Sequence, residues 1–342
     1  MAGTGNQHPM VCALVLNHNG AHFLRPCLGS LLANDYPNLQ VYLVDNGSTD
    51  DSLALVRSHF PTVRVIPFSE NLGYSAAYNR ATRIAQGDYY FFLNNDVTLE
   101  SDVVSRLVAT AQSDSEIAAV TPKMLFYDDR QLINACGGNM DRFAFGLNVG
   151  IGEIDRGQYD QPREVFYAVG AAMLVKATAW EQVEGFDERF FAYYEDSDWS
   201  WRARLLGLRV MYVPAVLYHK WRGTWVDSRR RMYLQERNRM MSFLKNHSTR
   251  TLAYLLPLYS ALAVLRFVWV SIRWGPRIGW SMIAGDVANI RHWRSTLNAR
   301  AQIQRRRVVD DAQILKAMAP GSLELKNYRH PFLVENRSPI AR

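Results

Sequence analysis

Seven alternating runs in the first hundred residues constrain this chain more than anything else in it. Short β-rich runs at 11–17, 40–45, 63–67 and 89–94 are separated by amphipathic stretches at 23–32, 52–60 and 75–85. Period-two and period-3.6 patterns that alternate in this way predict a βαβαβαβ order, hence an α/β fold with a mostly parallel sheet and right-handed crossovers. The runs 11–16 and 89–93 are apolar throughout, as central parallel strands buried on both faces are. Just past their ends stand Asn17, Asp45 and Asn94-Asn95-Asp96. Ligands of open α/β sheets bind beyond the carboxyl ends of the strands, so these polar residues are the first site candidates.

With 342 residues, 48% of them hydrophobic and 21% charged, the chain is long enough for about two structural units and is excluded from the disordered, collagenous and disulfide-scaffold classes. Cys12, Cys27 and Cys136 are odd in number and far apart, which predicts a reducing compartment and no zinc site. Residues 1–9 are polar and predict no secretory leader. Charge is divided unevenly: residues 1–218 carry 16 Lys and Arg against 25 Asp and Glu, while residues 219–342 carry 23 against 7. The split predicts an acidic half that handles a small ligand, with metal, and a basic half that meets an anionic surface.

Three segments near the strand ends carry chemistry. In 44–50, Asp45 offers an acceptor to a nucleobase imide N–H, although Asn46-Gly47 also makes an ordinary turn and Thr49 or Asp50 an ordinary helix cap. In 70–80, a helix begins after Gly73 with small residues, an arrangement that suits a diphosphate and equally suits close packing. In 91–97, an apolar strand ends in oxygen-bearing side chains; hard divalent ions are held by one or two carboxylates plus substrate phosphates, which nominates Asp96. A fourth segment, 193–198 (Tyr-Tyr-Glu-Asp-Ser-Asp), gathers acids at a helix start. These acids either favour the helix terminus or supply the base that sugar transfer with inversion requires, and adjacent carboxylates raise one another's pKa.

Together, in this order and spacing, the first three segments resemble the family 2 glycosyltransferases of GT-A fold, over about residues 10–225, and 193–198 resembles that family's ED motif; the missing first acid at 94–96 is similar to the rhamnosyltransferase and galactofuranosyltransferase branches, and the chain as a whole resembles the former. The resemblance implies that Asp45 binds the pyrimidine and that Asn17 and Asn19 neighbour the nucleoside. Asn71, Gly73, Asn79 and Asn95 are the remaining nucleotide-side candidates. Asp96 resembles the last aspartate of the DxD metal motif, written here Asn94-Asn95-Asp96, and His219 resembles the histidine that completes a manganese or magnesium site. Asp196 then corresponds to the base of the ED motif, with Glu195 orienting the acceptor. Trp221, Arg222 and Thr224 lie in a loop suited to closing over donor and acceptor and excluding water.

Residues 1–228 are thus expected to form the GT-A domain, with 10–100 as its nucleotide-binding half and 101–228 as its acceptor and catalytic half. Residues 229–342 form a helical, basic region. Its stretch 252–272 contains one charge, Arg266, and is just long enough to span a bilayer. Arg266, Arg273 and Arg277, spaced by seven and four, would share one helix face, which predicts an in-plane helix with arginines at the headgroups; a span and a buried or dimer-forming helix are the alternatives. Trp274, Trp280, Trp293 and Arg305–Arg307 add aromatic and cationic residues suited to a membrane interface. No nucleic-acid motif accompanies the charge.

The resemblance implies transfer of a sugar, foremost L-rhamnose from dTDP-rhamnose, to a polyprenyl-linked or cell-surface polysaccharide acceptor by an enzyme peripheral on the cytoplasmic face of the membrane, with homo-oligomers as a further option. Galactofuranosyl or other hexosyl transfer from a UDP-sugar is the nearest alternative. A pyrophosphorylase would need a Gly-rich loop with a catalytic Lys or Arg after the first strand, which 16–20 does not provide. An oxidoreductase would need a GxGxxG there. A non-catalytic scaffold that binds membrane and nucleotide is the remaining reading, and only it would tolerate loss of Asp196.

Overall fold

The expected alternation is present in full. In the computed structural model, which describes residues 8–220 and 228–323, β1 (Val11–Asn17), α1 (Ala21–Leu32), β2 (Leu39–Asn46), α2 (Ser52–His59), β3 (Arg64–Phe68), α3 (Gly73–Ile84) and β4 (Tyr89–Asn94) follow one another in the chain. β5 (Val97–Leu99), α4 (Val103–Gln112) and β6 (Ile117–Phe126) come next. The short strands β7 (Ile133–Ala135), β8 (Gly138–Met140), β9 (Gly146–Asn148) and β10 (Arg163–Glu164) lead to β11 (Ala172–Lys176), α5 (Ala177–Val183), α6 (Glu195–Leu205) and β12 (Arg209–His219). Five helices complete the described chain: α7 (Ser228–Asn246), α8 (Thr249–Trp274), α9 (Pro276–Arg291), α10 (Trp293–Arg306) and α11 (Asp311–Ala317).

The main sheet runs in the order β10-β12-β6-β11-β4-β1-β2-β3. β1 to β4 are parallel, and β11 is inserted antiparallel between β4 and β6. Alternate residues of the central strands feed two cores, as the period of two requires. Val11, Ala13 and Val15 pack with Leu24, Leu28 and Leu31 of α1 and Leu107 of α4. Cys12, Leu14 and Phe92 pack with Ala77 and Tyr78 of α3, Trp180 of α5 and Trp199 of α6.

The sequence suggests two short strands at 209–213 and 216–219. They are one strand, β12, whose register shifts between Val213 and Val216; Pro214 has no N–H to give the ladder, so the strand bulges there and continues. This continuation carries His219 to the site. β5 pairs antiparallel with the end of β12, His219 opposite Val97.

The arginine face expected on the 252–272 helix is not formed. α8 ends at Trp274, and Gly275 (φ +97°) turns the chain, so Arg277 belongs to α9. Arg266 is buried and ion-paired with the buried Glu236 of α7. Glu236 also accepts from Arg239 Nη2 at 2.5 Å, and Arg239 donates to Tyr259 Oη at 3.0 Å. A carboxylate withdrawn from water needs cations within reach, and that need turns Arg266 inward.

Candidate functional site

The ends of β2, β1 and β4 are joined side by side through buried polar side chains. Asn95 Nδ2 donates to Asn17 Oδ1 at 2.7 Å, and Asn17 Nδ2 donates to Asp45 Oδ1 at 3.2 Å and Ser48 Oγ at 3.1 Å. Asp45 Oδ2 accepts the Ser48 N–H at 3.2 Å. Gly20 is needed here because a Cβ would lie 2.1 Å from Asn95 Nδ2. Asn19, with φ +53°, accepts at Oδ1 from the Thr49 N–H at 2.7 Å and stands at the open side of this corner. Together Asp45, Asn17, Asn19 and Asn95 make one continuous rim.

Asn71 and Gly73 hold the next corner. Asn46 Nδ2 donates to Asn71 Oδ1 at 3.0 Å, and the Gly73 N–H donates back to the same oxygen at 2.9 Å. Gly73 has φ +77°, and a Cβ would meet the Phe191 carbonyl at 2.4 Å; only glycine lets the start of α3 approach the 189–194 loop this closely. Asn79 lies further along α3 and is engaged elsewhere: its amide donates to Phe186 O at 2.9 Å and Glu188 Oε1 at 3.1 Å, and its Oδ1 accepts the Phe186 N–H. It ties α3 to the loop before α6.

At the other end of the rim, Asp96 faces His219. Asp96 is buried, and its Oδ1 has no hydrogen-bond partner; His219 Nε2 lies 3.5 Å from that oxygen. His219 Nδ1 is 3.0 Å from Asn134 Oδ1. That oxygen only accepts, so Nδ1 donates to it, and this bond turns Nε2 toward the carboxylate. A buried carboxylate oxygen facing an imidazole nitrogen is a donor set that fits a divalent cation. No cluster of three or more His, Cys, Asp or Glu stands at a common point among the described residues, so the remaining ligands would come from substrate phosphates and water, as is usual for magnesium.

Asp196 is brought to the same region by β11. Because β11 runs antiparallel to β4, its first residues lie at β4's carboxyl end, and the Asn94 N–H donates to Ala171 O at 3.0 Å. Next to it, the Gly170 N–H donates to Asp196 Oδ2 at 2.7 Å, and Tyr74 Oη donates to Gly170 O at 2.5 Å. Asp196 Oδ1 accepts the Ser197 N–H at 2.6 Å. Removal from water raises the Asp196 pKa, against the lowering effect of these N–H donors. Glu195 is raised well above the ordinary carboxyl value, first by burial and then by Asp196, and its Oε2 is buried without a partner.

Tyr193 and Tyr194, just before these acids, both adopt φ +71°. Consecutive left-handed aromatic residues cost free energy and persist only where the surroundings hold them. α7 supplies the hold: Asn238, fully buried, donates from Nδ2 to Ala192 O at 2.9 Å and Tyr193 O at 2.7 Å, and Arg237 donates to Arg189 O at 2.8 Å. Deeper in, Asp198 accepts from Arg202, Ser242 and Asn246 and is 2.9 Å from Lys245. Burial would raise Asp198, but Lys245 and Arg202 keep it below the ordinary value, so the third acid of the segment is structural. Sequence reasoning assigns none of these α7 residues a role. The available signal was a helix with Asn, Ser and Lys at 238, 242 and 245, positions that fall on one face.

Asn238→Ala leaves two part-buried carbonyls without this donor and frees the loop that sets the two acids. The expected result is a kcat lower by about 10²-fold, the cost of a displacement of roughly 1 Å at a reacting group, with the donor KM unchanged. Steady-state kinetics against donor concentration checks it, and an unaltered kcat would mean that the loop keeps its shape unaided. Trp221, Arg222 and Thr224 lie outside the described residues.

Residues 12–177 match the family model for glycosyl transferase family 2. The chain is 29% identical over 254 residues to the N-acetylglucosaminyl-diphospho-decaprenol L-rhamnosyltransferase of Mycobacterium tuberculosis, a match covering 67% of this chain and 82% of the relative. It is 27% identical over 220 residues to the rhamnosyltransferase WbbL of Escherichia coli, covering 60% of this chain and 81% of that one. Among solved structures, GalNAc-T7 with UDP, GalNAc and Mn2+ superposes with TM-score 0.56 at 14% identity, over 69% of this chain and 48% of its own. The mannosyltransferase PcManGT of Pyrobaculum calidifontis with GDP-Man and Mn2+ gives TM-score 0.54 at 18% identity, over 83% and 88%. At such identities the structural likeness establishes the fold, which is GT-A. Residues 12–177 therefore form a family 2 glycosyltransferase domain, and the chain resembles the rhamnosyltransferase branch of that family.

Proposed function

We propose that this glycosyltransferase moves L-rhamnose with inversion from dTDP-L-rhamnose to a polyprenyl-diphosphate-linked or cell-surface polysaccharide acceptor, working peripherally at the cytoplasmic face of a membrane. The observation that carries the reaction type is the Asp196 carboxylate, anchored by the Gly170 N–H one residue from the strand pair that leads to Asp96. The donor sugar rests on the rhamnosyltransferase names of the relatives.

In this reading the rim of Asn17, Asn19, Asp45 and Asn95 receives the nucleoside, and the start of α3 at Asn71 and Gly73 faces the diphosphate. Asp96 and His219 would hold a manganese or magnesium ion, which when bound supplies positive charge against the leaving diphosphate. Glu195 orients the acceptor hydroxyl by a hydrogen bond. Asp196 takes that hydroxyl's proton as its oxygen bonds to the anomeric carbon, and the bond from that carbon to the diphosphate oxygen breaks on the opposite face, its electron pair leaving with the nucleotide.

The test is transfer by the full chain from dTDP-L-rhamnose, with manganese, to an N-acetylglucosaminyl-diphospho-polyprenol in detergent. Expected is a rhamnosylated lipid whose new linkage has the anomeric configuration opposite to the donor's. Turnover only with UDP-sugars moves the donor to the galactofuranosyl or another hexosyl class; no turnover of any nucleotide sugar overturns the reading.

A further inference from the structure

α8 is built inside out. Its one internal charge, Arg266, faces inward to Glu236, while Tyr254, Leu258, Leu265, Val268 and Ile272 face outward, each about half exposed or more. These positions, spaced by three, four and seven, fall along a single line of the helix. α9 presents a second apolar line, Trp280 and Val287; Trp280 packs against Phe267 of α8 with ring centroids 5.2 Å apart, so the exposed side chains of α9 border α8. Contiguous apolar surface of this extent marks an interface.

We propose that the outward faces of α8 and α9 dock on an anionic lipid bilayer and that the chain lies on it without crossing. The proposal rests on the lipid-linked acceptor proposed above and names the surface that meets the lipid. Charge selects the occupant. Residues 249–307 contain ten arginines and one acid, Asp286, which accepts from Tyr259. The exposed arginines include Arg250 and Arg273 at the ends of α8 and Arg277 and Arg291 at the ends of α9. Apolar lines bounded by arginines complement acyl chains bounded by anionic headgroups, whereas a second copy of this face would bring like charge against like.

By length and composition, Thr249–Trp274 also suits a span. The ion pair argues against one: α8 is fastened through Arg266 to α7, and α7 carries Arg237, Asn238 and Lys245 into the core around Asp198 and the 189–194 loop. Drawing α8 through hydrocarbon would strand Glu236 or pull a helix rich in charge in with it.

The test is flotation of the full chain with vesicles of phosphatidylglycerol and phosphatidylcholine in equal parts. The chain should float with them, float less with phosphatidylcholine alone, and be released by alkaline carbonate. Leu258→Glu with Leu265→Glu, both on the solvent side, should lower vesicle partitioning by about tenfold or more while hydrolysis of the donor in solution stays unchanged. Failure of the wild-type chain to float, flotation unaltered by the two substitutions, retention after carbonate, or a dimer that the substitutions dissociate without any vesicle binding would each overturn it. A chain that turns over donor in solution but ignores vesicles loses only the docking surface; one that floats but turns over no donor loses the transferase reading.

Discussion

Asp196→Asn is expected to lower kcat by about 10³-fold, within the range that a positioned base contributes, while the donor KM stays within about twofold. The amide keeps the size of the carboxylate and an oxygen for the Gly170 N–H; it gives up the bond from the Ser197 N–H, a local loss that adds to the loss of proton removal and leaves the donor rim untouched. The pH profile separates this from misfolding. Desolvation raises the Asp196 pKa, and a base acts in its deprotonated form. Activity is therefore full above that pKa and lost as pH falls through it. The acidic limb of kcat/KM should lie above the value of about 3.9 for a free aspartate and be missing from the residual activity of Asp196→Asn. Glu195 keeps its proton to higher pH, since it is raised well above its ordinary value. Glu195→Gln resembles that protonated form and should cost far less. Equal losses in the two variants would reverse the assignment of base and partner.

The parts of this site legible in the sequence are those fixed by strand ends. Asn17, Asp45 and Asp96 close apolar runs, and parallel pairing puts Asn17 beside Asp45; their order along the rim differs from their order in the chain because β1 lies between β2 and β4. His219 was legible as a strand end, but its partner depended on β5 doubling back against β12, a pairing across 122 positions that no local pattern encodes. Asn79 misleads for the opposite reason. It sits in a helix that begins at the site, yet its amide is spent on Phe186, on a loop more than a hundred residues away. Arg266 shows the limit of helical periodicity: spacing tells which residues share a face, not which face is turned inward, and that was settled by Glu236, thirty positions upstream on α7. Asn238 is of the same kind, because its value lies in two carbonyls held in left-handed backbone, and nothing in Tyr193-Tyr194 forecasts that conformation.

Asp96→Ala is expected to lower kcat/KM on the order of 10³-fold, since positive charge at the leaving diphosphate contributes several kcal/mol, and to abolish the gain in nucleotide affinity that manganese confers. The reason is Oδ1: buried and without a hydrogen-bond partner, it faces His219 Nε2 and is placed to take a cation. Calorimetric titration with dTDP and with UDP, each with and without manganese, makes the comparison. Without metal the variant should bind the preferred nucleotide about as the unaltered chain does, because the rim through Asn17 and Asp45 is held by its own bonds. Asn134→Ala supplies a graded control. It removes the acceptor that fixes the His219 tautomer without touching the cation, and outer partners of this sort contribute about 10- to 100-fold in metal affinity. Manganese should then still raise nucleotide affinity, at higher concentration. If manganese improves binding equally in all three proteins, the ion is held elsewhere, and Asp96 and His219 serve only to join β4 to β12.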